Sequence, residues 1–154
     1  MSPLDGFSVR ILSELQRDAR QTIQQIAQRI GLSSTPCCKR IKDMESNGVI
    51  RGYTALVDRD KVGLHICVFA EINLSKHSGE NAIEFEKEVA ACPQITECYS
   101  TTGTADYLIK VITTDIKSYE TFMHSVLFQL PGVDHVRSSI VLRELKYDPR
   151  MPLA

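Results

Sequence analysis

Two short apolar stripes that meet at a glycine-containing corner restrict the fold of this chain more than any other feature. In the first stripe, Ile23, Ile26, Ala27 and Ile30 recur at the spacing of one face of a helix. Gly31 follows directly, and glycine enters the left-handed conformation that ends a helix without steric cost. The pattern therefore predicts a helix of about two turns that starts near residue 22 and stops at Gly31.

A further helix is predicted immediately after this corner. Ser33 is a suitable N-cap, and Pro36 falls in the first turn, where no intrahelical hydrogen bond is lost. Cys37, Ile41 and Met44 are spaced four and three residues apart and form its inward face. Two helices joined through such a turn are typical of a helix-turn-helix motif.

The outer face of this helix combines short polar groups with cations. It should present Ser34, Thr35, Cys38, Lys39 and Lys42. Short polar side chains can meet base edges in the major groove of double-stranded DNA, and lysines can meet phosphates. Residues 17–42 hold six basic residues and one acidic residue, a net charge of +5 in a chain of net charge −1. Local positive charge attracts nucleic acid, although a solvated helix face would have a similar composition.

Arg40 lies between the inward and outward faces. A clamp on a DNA phosphate and a structural salt bridge to Asp18 or Glu45 are both compatible with its position. We include it with Ser33 in the set of expected DNA contacts.

The remaining N-terminal residues complete a winged helix-turn-helix. Asp5 can cap a first helix to about Arg17, and the alternating segment 49–57 is predicted to be the extended wing. We therefore assign 1–57 to a DNA-binding domain, 58–63 to a charged linker, and 64–154 to a second domain.

The second domain alternates between segments with the two-residue period of a strand and segments with the period of a helix. Residues 64–75 alternate apolar and mixed side chains as a strand does, and further strands are predicted near 95–102, 106–113 and 133–143. Helices are predicted at 79–91 and after Asp115. The order β-α-β-β-α-β indicates a ferredoxin-like α+β domain. Its uncovered sheet face carries His65, Cys67 and Phe69, which favours association with a second copy.

Other classes of protein are disfavoured. The five cysteines contain no Cys-x-x-Cys pair and the four histidines are scattered, so we expect no disulfide framework, metal site or cofactor. The vicinal pair Cys37-Cys38 leaves a redox role open. No apolar run is long enough for a membrane span, and the N-terminus lacks the features of a signal peptide, so we expect a cytoplasmic protein. We also see no catalytic constellation.

The order of these features resembles the Lrp/AsnC (leucine-responsive and asparagine) family of regulators. The resemblance rests on Leu4-Asp5, Asp18-Ala19-Arg20, Gly31-Leu32-Ser33, Ile50-Arg51-Gly52-Tyr53, Gly103-Thr104-Ala105-Asp106-Tyr107-Leu108 and Leu130-Pro131-Gly132-Val133. It implies transcriptional regulation by a homo-oligomer, a dimer that commonly assembles to an octamer. It also implies a small-molecule effector, usually an amino acid.

The resemblance further implies where that effector binds. The implied contacts lie in one turn and on the last strand: Gly103, Thr104, Asp106, Tyr107, Val136 and Ser138. Many members have a threonine where this chain has Val136, so one expected hydroxyl is missing. Independently, a glycine lets a carboxylate approach backbone N–H groups, and Asp106 could accept from an ammonium. Turn capping or an intersubunit hydrogen bond is the alternative role for Asp106.

Two other functions are compatible with this architecture. A nucleoid-type architectural protein would bind DNA without any ligand-dependent change. A siroheme decarboxylase-like enzyme would share the fold but should have lost the basic recognition face, which this chain keeps at Lys39, Arg40 and Lys42.

Overall fold

The computed structural model describes residues 4–75 and 79–153. The chain divides into two compact units. Unit 1 holds the residues up to Leu56 together with the segment from Lys146, and unit 2 is Val57–Leu145. The predicted domain 64–154 thus differs from the structure at its end, because the segment from Lys146 packs with the N-terminal residues.

The side chain of Gln16 binds the backbone of this terminal segment. The Nε2 of Gln16 donates to the carbonyl of Met151 at 3.2 Å, and its Oε1 accepts from the Met151 N–H at 2.5 Å. The two residues are 135 positions apart. No local pattern in the sequence signals such a pairing.

Unit 1 is built from three helices, α1 (Gly6–Arg17), α2 (Ile23–Ile30) and α3 (Ser34–Ser46). The N-cap of α1 at Asp5 and the end of α2 at Gly31 follow the prediction. Thr22 and Gln25 form a reciprocal capping box at the start of α2, and Gly31 ends it with φ +73°. The shared core combines one stripe from each helix: Ile11, Leu12, Ile26, Ala27, Ile30, Cys37, Ile41 and Met44. The predicted helices and the inward face of α3 are confirmed.

The strand predicted over residues 49–57 is wrong for the single chain. Within this fully described segment the backbone forms no strand. Val49 and Ile50 pack against the core of unit 1, while Tyr53 and Val57 are exposed. An alternating pattern yields a strand only where another strand pairs with it, and no strand of the described chain does so here.

Unit 2 has the predicted β-α-β-β-α-β order. Its elements are β1 (Ile66–Leu74), α4 (Gly79–Ala91), β2 (Ile95–Ser100), β3 (Tyr107–Thr113), α5 (Ile116–Ser125), a 3-10 turn (Leu127–Gln129) and β4 (Val133–Ile140). The sheet is antiparallel throughout, in the order β2-β3-β1-β4. The α+β, ferredoxin-like prediction is therefore confirmed.

One face of this sheet forms the core of unit 2. Val68, Ala70 and Ile72 of β1 are fully buried there, against Phe85 of α4 and Phe122 of α5. Ile116, the first residue of α5, is 61% exposed, whereas Phe122 is buried.

The segment 58–63 is an ordered turn rather than a free linker. The Asp58 carboxylate accepts from the N–H groups of Asp60 and Lys61, and the Gly63 N–H donates to the Asp60 carbonyl. Arg59 donates to the carbonyls of Leu64 and His65. These bonds make the segment part of unit 2.

Candidate nucleic-acid interface and ligand turn

The outward side of α3 borders an open depression of about 510 Å³. Five of the seven expected DNA contacts line it: Ser34, Thr35, Cys38, Lys39 and Lys42. Asp43 and Ile23 complete the lining. Sequence reasoning assigned Ile23 to the core stripe of α2, but it is the first residue of that helix and lies partly exposed beside α3.

The two lysines are available to an anionic partner. Lys39 and Lys42 are exposed, and neither forms an ion pair or hydrogen bond with the part of the chain that the structure describes. Three other basic groups of unit 1 have carboxylate partners: Arg17 and Arg29 share Glu14, and Arg150 meets Asp148. The positive potential of α3 therefore comes from Lys39 and Lys42.

Ser33 holds the predicted N-cap position of α3, but its side chain makes no capping hydrogen bond. The equivalent positions of the other capped helices do: Asp5 accepts from Ser8, Thr22 from Gln25 and Asp115 from Ser118. The hydroxyl of Ser33 is thus not used to cap the helix.

Arg40 does not lie in the depression. Its Nη2 is 2.7 Å from Oδ2 of Asp5, and its guanidinium lies 5.8 Å from the centre of the Phe7 ring. The predicted structural partners were wrong, because Asp18 accepts from the Arg20 N–H and Glu45 from the Tyr53 hydroxyl. A partner 35 residues away was not visible in the helical pattern.

Asp5 serves two helices at once. Its Oδ1 accepts from the Ser8 N–H at 2.8 Å while its Oδ2 meets Arg40. The bonds from Ser8, and then that from Arg40, lower the pKa of Asp5 to about 2. The carboxylate is therefore ionised near neutral pH.

The second site predicted from the sequence is the turn between β2 and β3. Gly103 lies there with φ +123°, and a Cβ at that position would meet no heavy atom of the described chain within 4 Å other than those of Gly103 and its two neighbours. Thr101 braces the turn by donating to the Ala105 carbonyl at 2.7 Å. The backbone at Gly103 is accordingly open to an approaching molecule.

Three further hydrogen bonds tie this turn to the end of β1. Asn73 Nδ2 donates to the Thr104 carbonyl at 2.9 Å, and the Asp106 N–H donates to the Ile72 carbonyl at 3.0 Å. Asp106 Oδ2 accepts from the Leu74 N–H at 2.8 Å. One oxygen of Asp106 therefore has a structural role, and Oδ1 has no hydrogen-bond partner among the described residues.

The other expected ligand contacts lie on the helix-covered face of the sheet. Tyr107 is 7% exposed, packs on Phe85 with ring centres 4.7 Å apart, and donates to Glu86 Oε1 at 2.7 Å. Burial, and then the Glu86 carboxylate, raises the pKa of Tyr107 to about 12. The structure thus places the Tyr107 side chain in the core and away from the surface of the turn.

Val136 and Ser138 of β4 also face the helices. Val136 pairs with Ile72 and packs on the core, and the Ser138 hydroxyl is 2.6 Å from that of Tyr119. Of the six predicted contacts, only Gly103, Thr104 and Asp106 come together at the turn. Side chains alternate between the two faces of a strand. If the register of β4 had been known from sequence, this alternation would have placed Val136 and Ser138 on the helix-covered face, apart from the turn.

The described residues hold neither a metal-binding cluster nor a helix of sufficient length and hydrophobicity to cross a membrane. In this part of the chain, no group of three or more His, Cys, Asp or Glu side chains is arranged to hold a metal ion. All five cysteines are unpaired with one another.

Two parts of the chain match families of known proteins. Residues 4–51 match the winged helix-turn-helix DNA-binding family, and residues 67–151 match the Lrp/AsnC ligand binding domain. The Bkd operon transcriptional regulator of Pseudomonas aeruginosa is 32% identical over 153 residues, which cover 99% of this chain and 100% of that protein.

Two further similarities extend over almost the whole chain. The leucine-responsive regulatory protein of Escherichia coli is 35% identical over 148 residues, 96% of this chain and 90% of that protein. A transcriptional regulator of Neisseria meningitidis, solved as a complex with L-Met, has a TM-score of 0.92 and 32% identity, covering 98% and 97% of the two chains. With a helix-turn-helix followed by the matching ligand-binding domain, this chain belongs to the Lrp/AsnC family of transcriptional regulators.

Proposed function

We propose that this regulator binds double-stranded DNA through α3. The depression beside α3 is the observation that carries the assignment, because it joins small polar groups to two unpaired lysines on one surface. Ser34, Thr35 and Cys38 approach base edges, and Lys39 and Lys42 contact phosphates. Ser33 is close enough in sequence to add a contact at the start of the helix.

We further propose that the effector is an amino acid held at the turn that contains Gly103. Its carboxylate meets the backbone N–H groups around Gly103 and Thr104, and its ammonium meets Asp106 Oδ1. The complex with L-Met formed by the Neisseria meningitidis relative supports this ligand class. Tyr107, Val136 and Ser138 shape the site from beneath, through the packing of the sheet on its helices.

The active form is a homo-oligomer, with the uncovered face of the sheet as the contact between copies. Phe69, at the centre of this face, is 37% exposed, and Tyr99 is more exposed still. The charges beside them are already paired, Lys110 with Glu97 at 2.9 Å and Arg137 with Glu71 at 3.8 Å. A face with neutralised charges and exposed apolar side chains suits a second copy of itself, as a dimer or within an octamer.

The protein carries out this role in the cytoplasm and without catalysis. The relatives found by comparison are named as transcriptional regulators, which supports a non-enzymatic function. A ligand that binds one assembly state more tightly than another is sufficient to change promoter occupancy.

Two measurements test the proposal together. A thermal-shift screen of the twenty amino acids should identify at least one that raises the melting temperature. Footprinting on DNA upstream of the protein's own gene should then reveal a roughly palindromic site, with half-sites one helical turn or a multiple of it apart.

Distinct outcomes would contradict separate parts of the proposal. DNA binding that no amino acid alters would favour the architectural function over effector control. A protein that light scattering finds to be a stable monomer at micromolar concentration would exclude the sheet-to-sheet contact.

A further inference from the structure

The ion pair between Asp5 and Arg40 connects the helix that reads DNA to the start of α1. Its 2.7 Å length indicates a direct charge-assisted hydrogen bond. Asp5 is also the N-cap of α1, so one carboxylate is held by two helices. The ion pair therefore links the start of α1 to the middle of α3.

The Nε of Arg40 is buried and has no hydrogen-bond partner among the described residues, while the side chain as a whole is 32% exposed. The Phe7 ring lies beside it, and Arg10 lies 4.5 Å from the centre of the same ring. A buried Nε cannot reach a phosphate without leaving this arrangement.

Arg40 also points away from the depression. Successive residues of a helix are rotated by about 100°, so a residue two positions along points to nearly the opposite side. Arg40 is two positions from both Cys38 and Lys42, which line the depression. Arg40 therefore contacts α1, while Cys38 and Lys42 are directed outward.

The apolar contacts of α3 determine which side of the helix faces the core, and the ion pair adds a directional contact to them. Cys37, Ile41 and Met44 lie on one side and pack without directional bonds. Hydrophobic packing is non-directional, whereas a charge-assisted hydrogen bond has a preferred distance and angle. A rotation of α3 would move Thr35 and Cys38 relative to bound DNA, and it would also disturb the Asp5–Arg40 bond.

We propose that the Asp5–Arg40 ion pair is a positioning contact that sets the rotation of α3, and that Arg40 governs sequence specificity without touching DNA. This inference rests on the proposed binding of DNA by α3. It removes Arg40 from the set of phosphate contacts and adds Asp5, which sequence reasoning treated only as a helix cap, to the specificity machinery.

The test compares specific with nonspecific binding in the full-length protein. The specific probe is the duplex that the wild type selects from a randomised pool, and the nonspecific probe is a random-sequence duplex of equal length. Asp5→Asn keeps an N-cap acceptor for α1 but removes the charge that Arg40 meets. Arg40→Met removes the charge and keeps an unbranched apolar stem.

Both variants should lose affinity for the selected duplex by about five-fold or more, a loss comparable with one mismatched base pair. Their nonspecific affinity should stay within about two-fold of wild type, and the slope of log K against log salt should not change, because no phosphate contact is lost. The double variant should lose no more than the larger single variant, since both changes break the same contact.

Arg17→Met is the matched control. It breaks the 2.6 Å ion pair between Arg17 and Glu14 within α1, which involves no residue of α3. This variant should bind both probes as the wild type does. Thermal melts establish that every variant is folded at the assay temperature.

Three results would overturn the inference. Arg40→Met could lower the salt slope by about one and weaken binding to both probes, which would make Arg40 a phosphate contact. Asp5→Asn could retain full specificity while Arg40→Met lost it. Arg17→Met could lose specificity equally. If the wild type itself failed to prefer any duplex, the proposed function would fail first, and Lys39→Ala would reveal whether α3 binds DNA at all.

Discussion

The carboxylate of Asp106 accepts a hydrogen bond from the backbone N–H of Leu74 at 2.8 Å, although the two residues are 32 positions apart. The bond fastens the turn that contains Gly103 to the end of β1. The second carboxylate oxygen has no hydrogen-bond partner among the described residues, so the structural role and the proposed ligand role of Asp106 are compatible. Two substitutions at this position separate them.

Asp106→Asn should retain the hydrogen bond from the Leu74 N–H but bind the amino acid more weakly. The amide keeps a carbonyl oxygen for the Leu74 N–H, so the melting temperature without ligand should stay near wild type. The charge that meets the ammonium is lost, and affinity for the amino acid should fall about ten-fold or more. Calorimetric titration with the amino acid found in the thermal-shift screen measures this loss.

Asp106→Ala is the companion variant. It removes both interactions. It should lower the free energy of unfolding by about 1 kcal/mol and should also weaken binding of the amino acid. An Asp106→Asn protein that bound the amino acid as tightly as wild type would place the ammonium contact elsewhere.

Removing either exposed lysine of α3 should weaken binding to every DNA sequence. Lys39→Ala and Lys42→Ala should each lower the slope of log K against log salt by about one, because each lysine neutralises one phosphate. The measurement is binding to one duplex over a series of salt concentrations. Lys61→Ala, in the 58–63 turn of unit 2, is the control with the same loss of charge. A full slope in either α3 variant would mean that the lysine does not contact DNA.

Bound DNA should protect Cys38 from alkylation. Cys38 is half-buried at the edge of the depression, so N-ethylmaleimide can reach it in the free protein. Its neighbour Cys37 is fully buried, and that burial raises the pKa of its thiol, which disfavours the reactive thiolate. Mass spectrometry of the peptide that holds both residues should find one alkylated cysteine without DNA and little with it.

Alkylation before DNA is added should abolish specific binding, and Cys38→Ser should resist the reagent while still binding. Equal labelling of Cys38 with and without saturating DNA would argue that this face of α3 does not enter the groove.

Replacing Tyr107 by Phe should affect stability but not the ligand. The ring can still pack on Phe85, while the hydrogen bond to Glu86 is lost, at a cost of about 1 kcal/mol. Chemical denaturation measures that cost, and the amino-acid affinity should be unchanged. A large loss of affinity in Tyr107→Phe would mean that the hydroxyl turns outward to the ligand.

The same tyrosine gives a pH dependence whose sign follows from its raised pKa. The folded state holds the Tyr107 proton up to about pH 12, whereas an ordinary tyrosine loses it near pH 10. The contribution of this group is therefore complete below pH 10 and is lost as the pH rises towards 12. The free energy of unfolding should decline less steeply over this interval in Tyr107→Phe than in wild type.

Local pattern in the sequence was sufficient for most elements of the fold. The spacing of Ile26, Ala27 and Ile30, together with Gly31, predicted a helix and its end, because contacts three and four residues apart and capping bonds are encoded within one short segment. The alternation along β1 and the order of elements in unit 2 predicted the ferredoxin-like topology for the same reason. The outward face of α3 also followed from helical period alone.

Contacts between distant segments were decided only by the tertiary structure. The partner of Arg40 is Asp5, Met151 lies against Gln16, and Tyr107 turns towards Glu86 and away from the Gly103 turn. Residues 49–57 alternate as a strand does but find no pairing strand in the described chain. Periodicity states which side of an element is apolar, whereas the identity of a long-range partner depends on which surfaces the packed chain brings within hydrogen-bond distance.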